Sequence, residues 1–142
     1  MNTEPEVPRA DEHERYLLAC LMDWPERAGE VLPLCRPTDF FDPMHQKLWR
    51  TFATQHATTG TIDRLAAGKQ LGCCDLLIEL TDCAPTTVHA ESRAKMVRDA
   101  AQLRELDKVL DSGRKDIRAR RPTQQILAKL QLHLAAIQEA AV

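Results

Sequence analysis

Three groups of residues in this 142-residue chain have types that could carry chemistry. Gly68-Lys69 is the Gly-Lys pair of a phosphate-binding loop, but such a loop needs a glycine at position 63 and a serine or threonine at position 70. The chain has Asp63 and Gln70 there, so no ATPase core is expected. His13-Glu14 opens the zinc-protease pattern, which requires a histidine four residues after the first; the residue found is Leu17. Cys73, Cys74, Cys83 and His89 are zinc-ligand types, yet structural zinc sites space their ligands as CxxC or HxxxH, and adjacent cysteines do not easily chelate one ion. Small buried residues are the better reading of these thiols. No nucleophile and base converge, so catalytic residues, cofactors and metals are all expected to be none.

Two patterns point to contacts rather than reactions. Arg114, Lys115, Arg118, Arg120 and Arg121 are five cations within eight residues, against the single carboxylate Asp116. That stretch carries +4, so with a chain total of -2 the remainder carries -6. It reads either as a solvated hairpin tip or as a contact for phosphates or an acidic partner. With no interleaved aromatics, such a contact would be weak, salt-sensitive and blind to sequence. The second pattern is apolar: Leu127, Leu130, Leu134 and Ile137 recur at spacings of 3, 4 and 3, a heptad seam. Met96, Ala100, Leu103 and Leu110 form a matching row, with Leu106 beside it. Phe40-Phe41 reads as a core cap for at least one ring, the alternative being an exposed docking spot. His45 reads as a partly exposed polar residue.

The elements that must carry these residues are helical. Aromatics are only 4% of the chain, too few for a typical strand-rich domain, while a 44% hydrophobic share suffices for a packed core. No run approaches the roughly 18 apolar residues of a membrane helix. The start, MNTEPEVPRA, lacks the apolar core of a secretory signal, and an odd number of cysteines favours free thiols, so a cytoplasmic location without membrane contact is expected. Residues 1–10 read as a flexible tail. Asp11 and Glu14 read as a capping box for a helix over 12–23. Pro25 opens a second helix and Asp42-Pro43 a third, which ends near 58–60. Asp63 and Asp75 start two short helices, and Pro85 ends the latter. A long helix over 87–112, a basic connection over 113–121 and a last helix over 123–140 complete the chain. The expected organisation is a tail (1–10), a helical globule (11–84) and an antiparallel helical hairpin (85–142), with arms of about 39 Å and 27 Å. An isolated helical pair covers only one face of each member, so the apolar rows imply self-association.

The segment PTDFFDPMHQKLWRTF (37–52) resembles a signature of the amino-terminal domain of the bacterial replicative helicase, DnaB type. HERYLLACLMDWPE (13–26), GTIDRLAAGKQLG (60–72) and LIELTDCAPTTVHAESRAKMVRDAAQLREL (77–106) resemble further segments of that domain in the same order. Leu18 stands where the family usually has glycine, the stretch before LIEL is shortened to Gly72-Cys73-Cys74, and Gly113 interrupts what is often continuous helix, so the chain looks like a divergent member.

The resemblance implies an all-α fold, a small globule followed by a hairpin, in a non-catalytic collar that organises helicase subunits. It implies self-pairing through hairpins, a homodimer that can build towards a hexamer, and docking of primase or a helicase loader during DNA replication. DNA contact would be weak or indirect. The residues expected at the self-association interface are Met96, Leu103, Leu106, Leu110, Leu127, Leu130, Leu134 and Ile137. Two other readings remain open: a stand-alone regulator that binds a resident helicase or primase, and the helicase-binding domain of a primase.

Overall fold

The computed structural model describes residues 7–140, and among them every regular element is helical. Of the expected tail, residues 1–6 lie outside the described residues; residues 7–10 have no regular structure. The chain divides into two compact units, Arg9–Asp99 and the residues from Ala100 onward together with Val7 and Pro8.

The first unit is built around α1 (Asp11–Asp23). Leu17, Leu18, Ala19, Cys20 and Leu21 have no exposed surface at all, so this helix is enclosed rather than merely amphipathic. It packs against α2 (Ala28–Val31), α3 (Pro43–Thr59) and α5 (Cys74–Leu80), and α4 (Arg64–Leu71) packs between α3 and α5. The start of α3 follows from sequence chemistry. Asp42 accepts the Met44 and His45 N–H groups at 2.8 and 3.4 Å, and Pro43 fills the first helical position, where no N–H is needed. Leu48, Trp49 and Phe52 then turn inward; the Trp49 ring lies 4.8 Å from that of Phe40, and its indole N–H donates to the Cys35 carbonyl at 3.2 Å. Each fully buried Leu or Phe here contributes about 1.5–3 kcal/mol relative to exposure. Gly68 is explained by packing: a Cβ there would fall 2.7 Å from Leu77 Cδ1 and 3.1 Å from Cys74 Sγ, so only glycine lets α4 and α5 approach this closely.

Three local expectations are corrected. Ala10, not Asp11, is the residue before α1, and no side chain caps that end, because Glu14 is engaged elsewhere. The long helix α6 spans Ala90–Arg118 rather than 87–112. Its start is delayed because the Tyr16 hydroxyl donates to the Thr86 carbonyl and accepts the His89 N–H, which holds residues 86–89 as a turn against α1. Its end is extended because Gly113 does not interrupt it.

In the second unit, α6 runs through Gly113 to Arg118, a turn follows, and α7 (Thr123–Ala140) returns antiparallel. A Cβ at position 113 would sit 3.3 Å from Leu130 Cδ2, so the glycine lets Leu130 pack close against α6. Lys129 Nζ reaches back to Ser112 Oγ and to Asp116, both at 3.1 Å. Arg104 donates to the Pro8 carbonyl at 3.0 Å. The fold is all-α, a helical globule followed by an antiparallel helical hairpin, as expected.

Candidate interaction surface

The hairpin arms place their apolar residues on two sides. Leu106, Val109 and Asp116 of α6 and Ile126, Leu130, His133 and Ile137 of α7 are partly covered, and Gly113 is buried. Leu103, Leu110 and Ile117 are 53%, 46% and 63% exposed and recur every seven residues, so they line one side of α6, with exposed Asp107 and Arg114 between them. On α7, Leu127 and Leu134 are also exposed, as is Leu132. Met96 is exposed as well, on the turns of α6 that belong to the first unit. The eight residues expected at a self-association interface are therefore not one surface. Leu106, Leu130 and Ile137 are half-buried, whereas Met96, Leu103, Leu110, Leu127 and Leu134 face outward.

Ile117 and Leu132 lie outside the rows that the sequence spacing picks out. Ile117 falls seven residues after Leu110, but assigning 113–121 to a connection hid that register. No residue of α7 is buried. Its partly covered residues alternate with exposed Leu127, Leu132 and Leu134.

The basic run lies at the hairpin tip. Arg114, Lys115 and Arg118 sit on the last turns of α6, and Arg120 and Arg121 on the turn that follows. Lys115 pairs with Asp111 at 3.2 Å, and Arg121 Nε with Asp116 at 3.3 Å. Among the described residues Arg114, Arg118 and Arg120 have no carboxylate partner.

The signature segment 37–52 is held by a buried pair. Glu14 and His45 are both enclosed, and His45 Nδ1 donates to Glu14 Oε1 at 2.8 Å. The other carboxylate oxygen accepts the Phe41 N–H at 2.8 Å, and the Asp42 N–H approaches Oε1 at 3.4 Å. Glu14 thus ties α1 to the turn that starts α3. This overturns the reading of His45 as partly exposed: one turn into α3, it lies on the same inward face as Trp49 and Phe52. The missed signal was Glu14 itself, which falls in register with Leu17, Leu18 and Leu21. Phe40 is buried core, while half-buried Phe41 carries the Arg9 guanidinium over its ring at 4.3 Å.

The remaining candidates do not assemble into a reactive centre. Cys73 is buried, Cys74 and Cys83 are exposed, and His89 is exposed. Burial pushes the Cys20 and Cys35 thiols up to about 11 and about 12, so both stay protonated and unreactive at neutral pH. His13 is held below its ordinary value by burial and then by the Arg93 guanidinium, which donates to its Nδ1 at 2.9 Å. An open groove of about 650 Å³ is lined by Met22, Asp23, Trp24, Ile62, Arg64 and Asp82. Two of its polar groups are already occupied: the Trp24 indole N–H donates to the Ala84 carbonyl at 2.9 Å, and Asp23 accepts the Asp82 N–H at 3.3 Å.

Residues 6–99 match the family model described as the DnaB-like helicase N terminal domain. No curated protein matches the chain. Among solved structures, the N-terminal domain of DnaB helicase from Mycobacterium tuberculosis is similar with a TM-score of 0.81 at 19% identity, covering 92% of this chain and 99% of that one. At that identity the likeness establishes the fold. No helix among the described residues is long and apolar enough to cross a membrane.

Proposed function

Because the chain belongs to the family of DnaB-like helicase N-terminal domains, we propose that it is a non-catalytic assembly module of DNA replication. It associates with itself through the outward faces of the α6–α7 hairpin, and the assembled collar offers a docking surface to a primase or a helicase loader. This chain contains no ATPase domain, so unwinding has to come from elsewhere.

The observation that carries the reading is the Leu103–Leu110–Ile117 row. Each of these side chains gains up to about 1.5–3 kcal/mol on full burial, and α7 leaves Leu127 and Leu134 uncovered as well. A second hairpin with the same faces supplies the cover, giving a small helical bundle with two-fold symmetry.

Light scattering across a wide concentration range tests this. The wild-type chain should move from monomer to dimer mass or beyond, and Leu110→Glu should hold the monomer by placing an unpaired charge in the interface. The same substitution should leave the melting temperature of the monomer nearly unchanged, since Leu110 is exposed within the chain. A strictly monomeric wild type that forms a mixed complex with a replicative helicase would favour the stand-alone regulator instead. A wild type that stays monomeric and binds neither helicase, primase nor loader sinks the proposal.

A further inference from the structure

The hairpin tip holds more positive charge than closing a helix requires. Cations in the last turn of a helix are ordinarily explained by its exposed carbonyls, and Lys115 and Arg118 fit that account. Arg120 does not. The tip closes by a crossed pair of bonds: the Arg121 N–H donates to the Asp116 carbonyl at 3.1 Å and the Arg120 N–H to the Ile117 carbonyl at 3.0 Å, with Arg120 at φ 56°. This closure normally places glycine at the left-handed residue, because a Cβ is strained there. The chain has an arginine at that position instead, and it has no ion-pair partner among the described residues.

The neighbouring charges are unevenly neutralised. Asp111 takes Lys115, and Asp116 takes both Arg121 and Lys129. Among the described residues, Arg114, Arg118 and Arg120 are left as three guanidiniums without a carboxylate, at the turn of the hairpin in a chain whose remainder is acidic. The planar fork of arginine matches the paired oxygens of a phosphate better than a lysine ammonium does. Protein interfaces are built around apolar and aromatic anchors, but residues 111–125 contain no aromatic and only one large apolar side chain, Ile117.

We propose that the hairpin tip is a binding site for the phosphodiester backbone of nucleic acid, made by Arg114, Arg118 and Arg120, with Arg121 and Lys129 held in reserve by Asp116. Recognition is by charge alone and ignores base sequence. This goes beyond the assembly role and does not depend on it.

The test uses the full chain and fluorescence anisotropy with labelled oligothymidylate, a labelled duplex of mixed sequence and a labelled oligoglutamate peptide. Three phosphate contacts on a single strand predict a log–log salt slope of about -2, a loss of about 20-fold in affinity between 50 and 200 mM salt. Arg120→Gly should weaken binding about eightfold at 50 mM salt, the share of one contact in that slope, while raising the melting temperature because the backbone strain is relieved. The triple variant Arg114→Ser, Arg118→Ser, Arg120→Ser should bind neither oligonucleotide. Asp116→Asn should bind more tightly than wild type, because it frees Arg121 and Lys129. Far-UV circular dichroism confirms that each variant is folded. Tighter binding of oligothymidylate or of the duplex identifies which source of phosphates the tip takes. No binding of either at 20 mM salt, a triple variant that binds like wild type, or oligoglutamate bound more tightly than both oligonucleotides overturns the proposal.

Discussion

Replacing Glu14 with alanine should cost far more than an average substitution, although a glutamate near a helix start looks dispensable. The side chain is fully enclosed and accepts two well-formed hydrogen bonds, from His45 Nδ1 and the Phe41 N–H, each at 2.8 Å. Glu14→Ala strands both donors in a place water does not reach. An orphaned buried donor costs about 1–3 kcal/mol, and two are stranded here. The expected loss is therefore about 3–5 kcal/mol, which for a domain of this size lowers the melting temperature by about 10–20 °C. Urea unfolding followed by circular dichroism and by the fluorescence of buried Trp49 measures it. Glu14→Gln keeps an acceptor for the Phe41 N–H and should cost only about 1–2 kcal/mol. His45→Ala removes one of the two stranded donors, so the double variant Glu14→Ala, His45→Ala should cost less than the sum of the singles by about 1–3 kcal/mol. A Glu14→Ala loss under about 1 kcal/mol, or strict additivity with His45→Ala, would show that the pair does not brace the turn at 37–42.

Two further outcomes follow from the titrating groups. His13 is depressed by burial and by Arg93, so folding favours its neutral form. Its contribution is fully present above its unfolded pKa of about 6.5 and is lost as the pH falls from there towards the lower folded value. Thermal melts of wild type and His13→Gln between pH 7.5 and 5 should converge at the acid end, and parallel curves would contradict this. Among the five cysteines, Cys74 and Cys83 should react first with a thiol reagent at pH 8, because they are exposed, whereas Cys20 and Cys35, pushed up to about 11 and about 12, should react only on unfolding. Mass spectrometry of the modified peptides decides it, and early labelling of Cys35 would be the contrary result.

Most helices were legible because their ends are written locally. Asp42-Pro43 supplies both a cap and a first residue for α3, and Thr123 follows Pro122 at the start of α7. The errors arise where a distant residue intervenes. The start of α6 at Ala90 is set by the hydroxyl of Tyr16, 70 residues away from its carbonyl partner Thr86. At Gly113, where α6 runs on, the neighbour is Leu130 of the returning helix, 17 positions later. The Glu14–His45 pair was invisible for the same reason: each residue alone is a polar letter that solvent could satisfy, and only the fold brings them together across 31 positions.

The apolar rows of the hairpin were harder to interpret than to find. A heptad row says that a helix has an apolar side, but the same period describes a stripe covered by one neighbour and a broader stripe shared between two. On α7 the row alternates: Leu130 and Ile137 turn towards α6 and are half-covered, while Leu127 and Leu134 stay exposed. On α6 the covered side runs through Val109 and Gly113, and the uncovered side through Leu103, Leu110 and Ile117. Two helices in contact bury one side of each and no more. A chain selected only to close this hairpin would have no use for the second side, and polar residues there would serve solubility better. The extra leucines therefore argue for a partner that presents apolar helical faces of similar length, and a second copy of the same hairpin meets that requirement with no new sequence.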